Sequence, residues 1–213
     1  MLIQWLLEIE HTKLKDLPNA LNLSSKNKSF SRIVIEKYLN EKLAPSNLQE
    51  IQNNKNFITR TVAISKSYVP LDTIRLVDSP LIQLADEKWE SSILNNNLNR
   101  ILIIPFLVLD RNLGQPYRTV GKSFIWEVND IERKGIEDEW YLFKNLSQKG
   151  VTPNTLQKRG DQTFLTEKNT QYIHMRPHST KGKYELDKFG NNIRKMAFFL
   201  NKGYLRKLLM INK

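Results

Sequence analysis

The run ILIIPFLVL, Ile101 to Leu109, is the most apolar stretch of the chain. It is too short to cross a membrane and rich in branched side chains, so it reads as a strand buried on both faces. Such a strand belongs at the centre of a sheet. Pro105 within it must sit at a bulge or beside an unpaired position, because proline brings no N–H to a ladder. Working outward, Phe57 to Ile64 alternates, with Phe57, Thr59, Thr61 and Ala63 against Ile58, Arg60, Val62 and Ile64; this is a second strand. Asp72 to Val77 and Ser123 to Val128 are further strand candidates. Asp86 to Ser92 reads as a helix. Asp130 to Lys149 reads as a long helix closed by Gly150 just past its end. Thr152 and Pro153 start a shorter helix. A strand over 171–176, a turn at Gly190, a strand over 194–200 and a helix from Asn201 complete the chain.

Toward the other end, Leu2, Trp5, Leu6 and Ile9 follow helical spacing, and Leu14, Leu17 and Leu21 repeat it, with Pro18 in a first turn. Ser29 is placed to cap a helix whose Phe30, Ile33, Val34 and Tyr38 share a face, with Arg32 and Glu36 paired on the other side. Residues 40–56 read as a polar loop. Helices first, then a mixed central sheet flanked by helices, define an α+β (α/β) layered fold. No long Gly/Ser linker interrupts it, so 1–213 is expected to be a single domain, with a helical arm over 1–40 and a sheet core and recognition region over 57–213.

Hydrophobic residues make up 40% and charged residues 26% of the 213 positions, an ordinary globular balance. There is no apolar run long enough for a transmembrane helix. The opening MLIQWLLEIEH lacks a basic leader and a small-residue cleavage site, so it reads as a helix and not a signal peptide. Cysteine is absent, which excludes a disulfide scaffold and any Cys-ligated metal and fits a cytoplasmic location. The formal net charge is +11 and it is unevenly placed. Residues 1–170 hold 23 Lys and Arg against 20 Asp and Glu, whereas residues 171–213 hold 10 against 2. Apolar residues interleave with these late charges, so they form a folded basic surface suited to a polyanion, nucleic acid first.

That basic region begins with YIHMRPHSTKGK, Tyr172 to Lys183. Alternation puts His174, Arg176 and His178 on one face, and Pro177 ends the ladder. A guanidinium at a rigid strand end can address the major-groove edge of guanine with two hydrogen bonds; the plainer reading is an edge strand with a solvated arginine. Phosphate loops, dinucleotide fingerprints, nucleophile elbows and HExxH motifs are missing. His11, His174 and His178 are the three histidines, and no third ligand lies near the last two, so a zinc site is not expected.

Taken together, these pieces resemble the MutH/Sau-type (GATC-cutting) restriction endonuclease family. Asn27-Lys28-Ser29-Phe30 with Ile33-Val34-Ile35-Glu36 is similar to the family's Lys-Gly loop and Glu-bearing helix. Thr59-Arg60-Thr61-Val62 resembles the catalytic strand, Arg100 to Pro105 the core strand, and Glu139-Trp140 the long helix. Ile173 to His178 resembles the segment that reads DNA, and Phe198-Phe199-Leu200 with Gly203-Tyr204-Leu205 the C-terminal recognition strand and helix. The resemblance implies a restriction-endonuclease-like MutH fold. It implies base reading by Arg176, Pro177 and His178, further DNA contacts from Lys28, Ser29 and Phe199, and phosphate contacts from Lys181, Lys183, Arg194, Lys195 and Lys202.

The family's nucleases carry an Asp followed by Glu-x-Lys, which hold Mg²⁺ and place the attacking water. Here the Glu-x-Lys positions fall on Ile58 and Arg60, and the Asp position falls near Ile51. Glu36 and the neighbouring Glu50 are the remaining weak candidates. Sau-type enzymes hold two MutH-like halves, of which the carboxy-terminal one lacks the motif and acts as an effector. The present chain resembles that half, in Leu-Ala-Asp-Glu-Lys-Trp-Glu over 84–90 and in His174 to His178. The expectation is therefore GATC binding without catalytic residues or a metal in this domain. Mg²⁺ and a catalytic half would belong to the parent endonuclease. An active nuclease using Glu36, Glu50 and a backbone carbonyl is the alternative. A protein- or RNA-binding module has only the basic face in its support.

Overall fold

This computed structural model describes residues 6–17, 30–42, 57–150, 165–178 and 184–213. In chain order the main elements are α1 (Phe30–Lys42), β1 (Phe57–Ile64), β2 (Arg75–Asp78), α2 (Leu81–Asp86), α3 (Ile93–Asn96), β3 (Arg100–Leu107), β4 (Thr119–Val120), β5 (Phe124–Glu127), α4 (Asp130–Gln148), β6 (Ile173–Pro177), β7 (Tyr184–Leu186), β8 (Asn192–Arg194), β9 (Met196–Leu200) and α5 (Lys202–Ile211). Contacts divide the chain into two compact units. One comprises Met1–Asp72, Arg100–Trp126 and Arg206–Lys213; the other comprises Thr73–Asn99 and Glu127–Leu205.

The first unit is built on a four-stranded sheet in which β3 pairs with β1, β4 and β5. β1 and β3 are parallel, in unbroken register from Phe57 opposite Arg100 to Ile64 opposite Leu107. Residues Ile101 to Ile104 and Phe106 are all buried, as expected of a strand covered on both faces. Leu102, Ile104 and Phe106 join Phe30, Val34, Ile35, Tyr38 and Leu39 of α1 in one core cluster. Pro105 fits without a bulge. It lies opposite Val62, and its carbonyl accepts the Gly121 N–H at 2.8 Å. Its nitrogen therefore faces the junction between β4 and β5, where the ladder needs no donor.

The second unit holds a three-stranded antiparallel sheet in the order β2–β9–β6 and a β7–β8 hairpin. Its long helix, α4, starts in a capping box: Asn129 Oδ1 accepts the Glu132 N–H at 2.9 Å and Glu132 Oε2 accepts the Asn129 N–H at 3.1 Å. It stops where Gly150 adopts φ 72°, the left-handed conformation that glycine takes without strain. Ile136, Glu139, Trp140, Phe143 and Ser147 form its buried stripe, and Phe143 meets Phe198 of β9 edge-on at 5.5 Å. Gly190, at φ 80°, makes the hairpin turn.

Three local expectations change. The helix placed over Asp86 to Ser92 lies earlier, as α2, because Glu87 and Lys88 are extended. Only a 3-10 turn, Trp89–Ser91, follows, and Ser92 caps the short α3 by accepting the Asn95 N–H. The second leucine-spaced helix is one 3-10 turn, Leu14–Asp16, with Leu17 extended; the rest of it lies outside the described residues. α1 continues to Lys42, three residues into the segment read as loop. The helix expected at Thr152 and Pro153 lies outside the described residues.

Candidate nucleic-acid interface

Strand alternation divides the β2–β9–β6 sheet into two faces. Phe198 turns to α4, and Phe199 turns to the opposite face. There the Arg176 guanidinium lies over the Phe199 ring, 4.1 Å from its centroid. Arg176 also donates to the Thr73 hydroxyl at 2.7 Å. The His174 ring stacks on Phe199 at 5.8 Å and 19°; the His178 ring meets it edge-on at 6.1 Å. The three polar side chains thus share one face, as the alternation predicts. Phe199 is only 5% exposed. It serves as the floor on which an exposed guanidinium is aimed, a contact worth roughly 0.5–2 kcal/mol depending on desolvation.

The histidines are held neutral. Burial pushes the His174 pKa down, against the hydrogen bond to Asn201. His174 Nδ1 lies 2.6 Å from Asn201 Oδ1, and the Asn201 amide donates to the Thr170 carbonyl at 2.6 Å. With the amide nitrogen so engaged, Oδ1 must accept, so Nδ1 of His174 carries the proton. Burial and the nearby Arg75 and Arg176 charges push His178 down, with Asp78 opposing. Arg75 contacts Nε2 of His178 and pairs with Asp78 at 3.2 Å. A guanidinium only donates, so Nε2 accepts and Nδ1–H of His178 is left as the ring's donor. No motif signals Arg75. What marks it is its exposed place between the buried Ile74 and Leu76, which aligns it with Phe199 across the β2–β9 ladder.

β6 is braced from behind by α4. The buried Glu139 carboxylate accepts three consecutive backbone N–H groups: Gln171, Tyr172 at 3.0 Å and Ile173 at 2.8 Å. Burial pushes its pKa up, and these same bonds pull against that shift. The Tyr172 ring packs so closely on Gly135 that a Cβ there would lie 2.3 Å from it. Tyr172 also meets Tyr204 edge-on at 4.8 Å. An acid on an apolar helical stripe was the available sequence signal for Glu139.

The remaining base- and phosphate-contact candidates are dispersed. Pro177 ends β6 opposite Met196, yet one further bond follows, from the His178 N–H to the Lys195 carbonyl at 2.8 Å. The Lys195 side chain is exposed. Arg194 sits on the β8 strand of the hairpin, half-buried, with its Nε unpaired. Lys202 is the half-buried first residue of α5. Lys28, Ser29, Lys181 and Lys183 lie outside the described residues.

In the first unit, β1 carries Ile58 and Arg60 at the positions matched to Glu-x-Lys. Both are half-buried, and Arg60 donates to the Thr59 carbonyl at 3.1 Å. Glu36 pairs with Arg32 at 3.2 Å on α1. Glu50 and Ile51 lie outside the described residues. Among the described residues no three His, Cys, Asp or Glu side chains cluster to hold a metal. A hydrocarbon and a guanidinium offer no oxygen donor, so these residues do not fit a Mg²⁺ ion.

A mixed sheet flanked by helices, with an antiparallel sheet presenting an arginine at a strand end, is the restriction-endonuclease-like class of fold. The family described as "DNA mismatch repair enzyme MutH" matches residues 47–139. The DNA mismatch repair protein MutH of Escherichia coli O139:H28 (strain E24377A / ETEC) is 22% identical over 155 residues, 70% of this chain and 63% of that protein. MutH of Escherichia coli O9:H4 (strain HS) matches to the same extent. The present chain thus covers about 63% of the length of these relatives. The chain is therefore similar to the MutH-like endonucleases.

Proposed function

We propose that this chain is a double-stranded-DNA-binding module that recognises GATC through the β2–β9–β6 face and does not cut DNA by itself. In this reading it is the carboxy-terminal effector half of a type II restriction endonuclease, and its binding to a site activates a separate catalytic MutH-like half. The carrying observation is the Arg176 guanidinium, held at a strand end over Phe199 and tied to Thr73. A guanidinium so aimed enters a major groove with little side-chain entropy left to lose, and its paired donors match guanine O6 and N7. Neutral His178 offers Nδ1–H as a further donor. Lys195 and the other cations of the basic region contact phosphates, which set affinity and salt dependence without sequence information.

The side chains at the matched catalytic positions support the non-cutting part. Ile58 and Arg60 stand where carboxylate and lysine are needed, and Glu36 is engaged by Arg32.

Fluorescence anisotropy with a GATC duplex and a scrambled duplex at one moderate salt tests recognition; equal affinities would refute it. Incubation with unmethylated GATC plasmid and Mg²⁺ tests the second part. No cleavage is expected, and cleavage abolished by Glu50→Ala would establish the active-nuclease alternative. Addition of the chain to its catalytic half should raise the cutting rate only when the chain's own site is supplied.

A further inference from the structure

The first unit contains a polar cleft of about 200 Å³ that none of the matched nuclease positions line. It opens between the start of α1 and the Gln115–Tyr117 turn. Ser31, Arg32, Thr61, Asp72, Gln115 and Arg118 supply its polar wall. Thr61 belongs to the Thr59–Thr61–Ala63 side of β1, the reverse of the side carrying Ile58 and Arg60.

The wall has a built part and an open part. Gln115 Oε1 is fixed by Ser31, whose N–H donates at 3.2 Å and whose hydroxyl donates at 2.9 Å. Arg118 is different. Its backbone is pinned at both ends, with N–H donating to Gln115 and carbonyl accepting from Leu14. Its half-buried guanidinium makes no hydrogen bond among the described residues. Burial pushes its pKa down, and Asp72 answers it only as a nearby charge. None of its nitrogens is among the buried unpaired atoms of the described residues, so its donors face the cleft's solvent and are open to an incoming oxyanion. Arg32 adds a second guanidinium whose present partner, Glu36, is an exposed ion pair and so a weak one.

We propose that this cleft is an oxyanion site for a phosphate group, taken by Arg118 with Arg32 and the Thr61 hydroxyl beside it. A tetrahedral oxyanion would replace the solvent at Arg118 and match the fork of its donors. Asp72 partly offsets the guanidinium's charge before the ligand arrives and limits affinity afterwards by its like charge. The phosphate is either a diester of a nucleic-acid backbone or a free phosphate or monoester; the chemistry of the site is common to both. This inference does not depend on sequence reading by the second unit.

The test uses the full chain and inorganic phosphate, followed by NMR and calorimetry at constant ionic strength. Saturable shifts at Ser31, Arg32, Thr61 and Arg118 are expected. Arg118→Gln should weaken phosphate about tenfold or more, the value of a charge-assisted hydrogen bond. Asp72→Asn should tighten it roughly three- to tenfold, since it removes a like charge at an effective dielectric typical of a protein surface. Non-saturating shifts, or phosphate affinity unchanged in Asp72→Asn, would overturn the site. The second variant keeps the test decisive if Arg118→Gln folds poorly. Competition with a scrambled duplex then separates the sources. If phosphate displaces duplex and Arg118→Gln lowers the salt slope of duplex binding by about 1, the backbone is the ligand. If phosphate binds without affecting duplex, the ligand is a free phosphate or monoester.

Discussion

Two arginines on two strands of this chain have different surroundings. On β1, Arg60 donates to the carbonyl of its own neighbour, Thr59. On β6, Arg176 donates across the sheet to Thr73 and lies flat over Phe199. The sequence resemblance sets the first against a nuclease lysine, and the proposed function gives the second the reading of DNA. A guanidinium held by its neighbouring backbone carbonyl, on a strand whose residues carry no carboxylate, brings no oxygen ligand to that place. One held by a hydroxyl and a ring at a strand end has its edge presented to a groove. The fold is common to both sites. In the proposed reading, the arginine that keeps a role is the one whose neighbours brace it.

That bracing is where the comparison is most easily broken. Glu139→Ala leaves the N–H groups of Gln171, Tyr172 and Ile173 without their acceptor at the base of β6. At about 1–3 kcal/mol for each buried donor left unmade, a loss of roughly 3–5 kcal/mol is expected, because some of the donors will find water. Urea denaturation measures it. A loss under 1 kcal/mol would mean that β6 does not lean on α4.

Gly135→Ala is the next largest. Replacing glycine by alanine inside a helix ordinarily stabilises by up to about 1 kcal/mol. Here the new methyl would sit 2.3 Å from the Tyr172 ring, and that ring is itself wedged against Tyr204. The expected sign is therefore reversed, with about 1–3 kcal/mol lost to overpacking. A stabilised variant would show that Tyr172 moves freely and that the brace is looser than described.

Arg176→Ala and Arg60→Ala set the two strands directly against each other. Arg176→Ala should cost roughly 1–3 kcal/mol of discrimination for guanine while leaving scrambled duplex nearly unaffected. Arg60→Ala should leave the ratio of specific to non-specific affinity unchanged. Lys195→Ala, at a proposed phosphate contact, should weaken all duplexes alike and lower the salt slope by about 1. Competition binding over a salt series reads all three, and a change of sequence preference in Arg60→Ala would reverse the assignment of the two arginines.

How much of this was open to a reader of the sequence follows from what each element depends on. β1 and β3 were legible because alternation and a continuous apolar run are direct consequences of burial. Pro105 could be placed in the ladder only through its opposite partners, Val62 and Gly121. The helix expected over Asp86 to Ser92 failed because capping by Ser92 and extension at Glu87 and Lys88 outweighed a weak periodicity. On the β2–β9–β6 face proposed for recognition, His174, Arg176 and His178 follow from period-2 alternation. Phe199 as the guanidinium's floor, Arg75 beside His178, and Glu139 behind β6 arise from pairings between distant strands and helices. Nothing local in the sequence carries those partners.

The smallest expected effect is on pH, and its sign separates the face from its brace. His174 has a folded-state pKa below its ordinary 6.5, chiefly through burial. The unfolded chain therefore takes up this proton first, and His174's contribution is present above pH 6.5 and lost as pH falls from there through the lower folded value. Glu139 runs the other way. Its folded pKa lies above the ordinary 4.5 because of burial, so its contribution is present below pH 4.5 and declines as pH rises through the folded value. Stability measured by urea midpoint should thus rise with pH just below 6.5, with a slope no greater than about 1.4 kcal/mol per pH unit for one proton. His174→Gln should reduce that rise, because the amide stays neutral throughout, with His178, also pushed below 6.5, supplying the remainder. Glu139→Gln should leave the rise intact while lowering the whole curve, since its amide replaces one acceptor oxygen with a donor facing the β6 N–H groups. If His174→Gln left the slope unchanged, the neutral ring stacked on Phe199 would not be the titrating group. His178, beside Arg75, would then be the remaining histidine of the face to substitute.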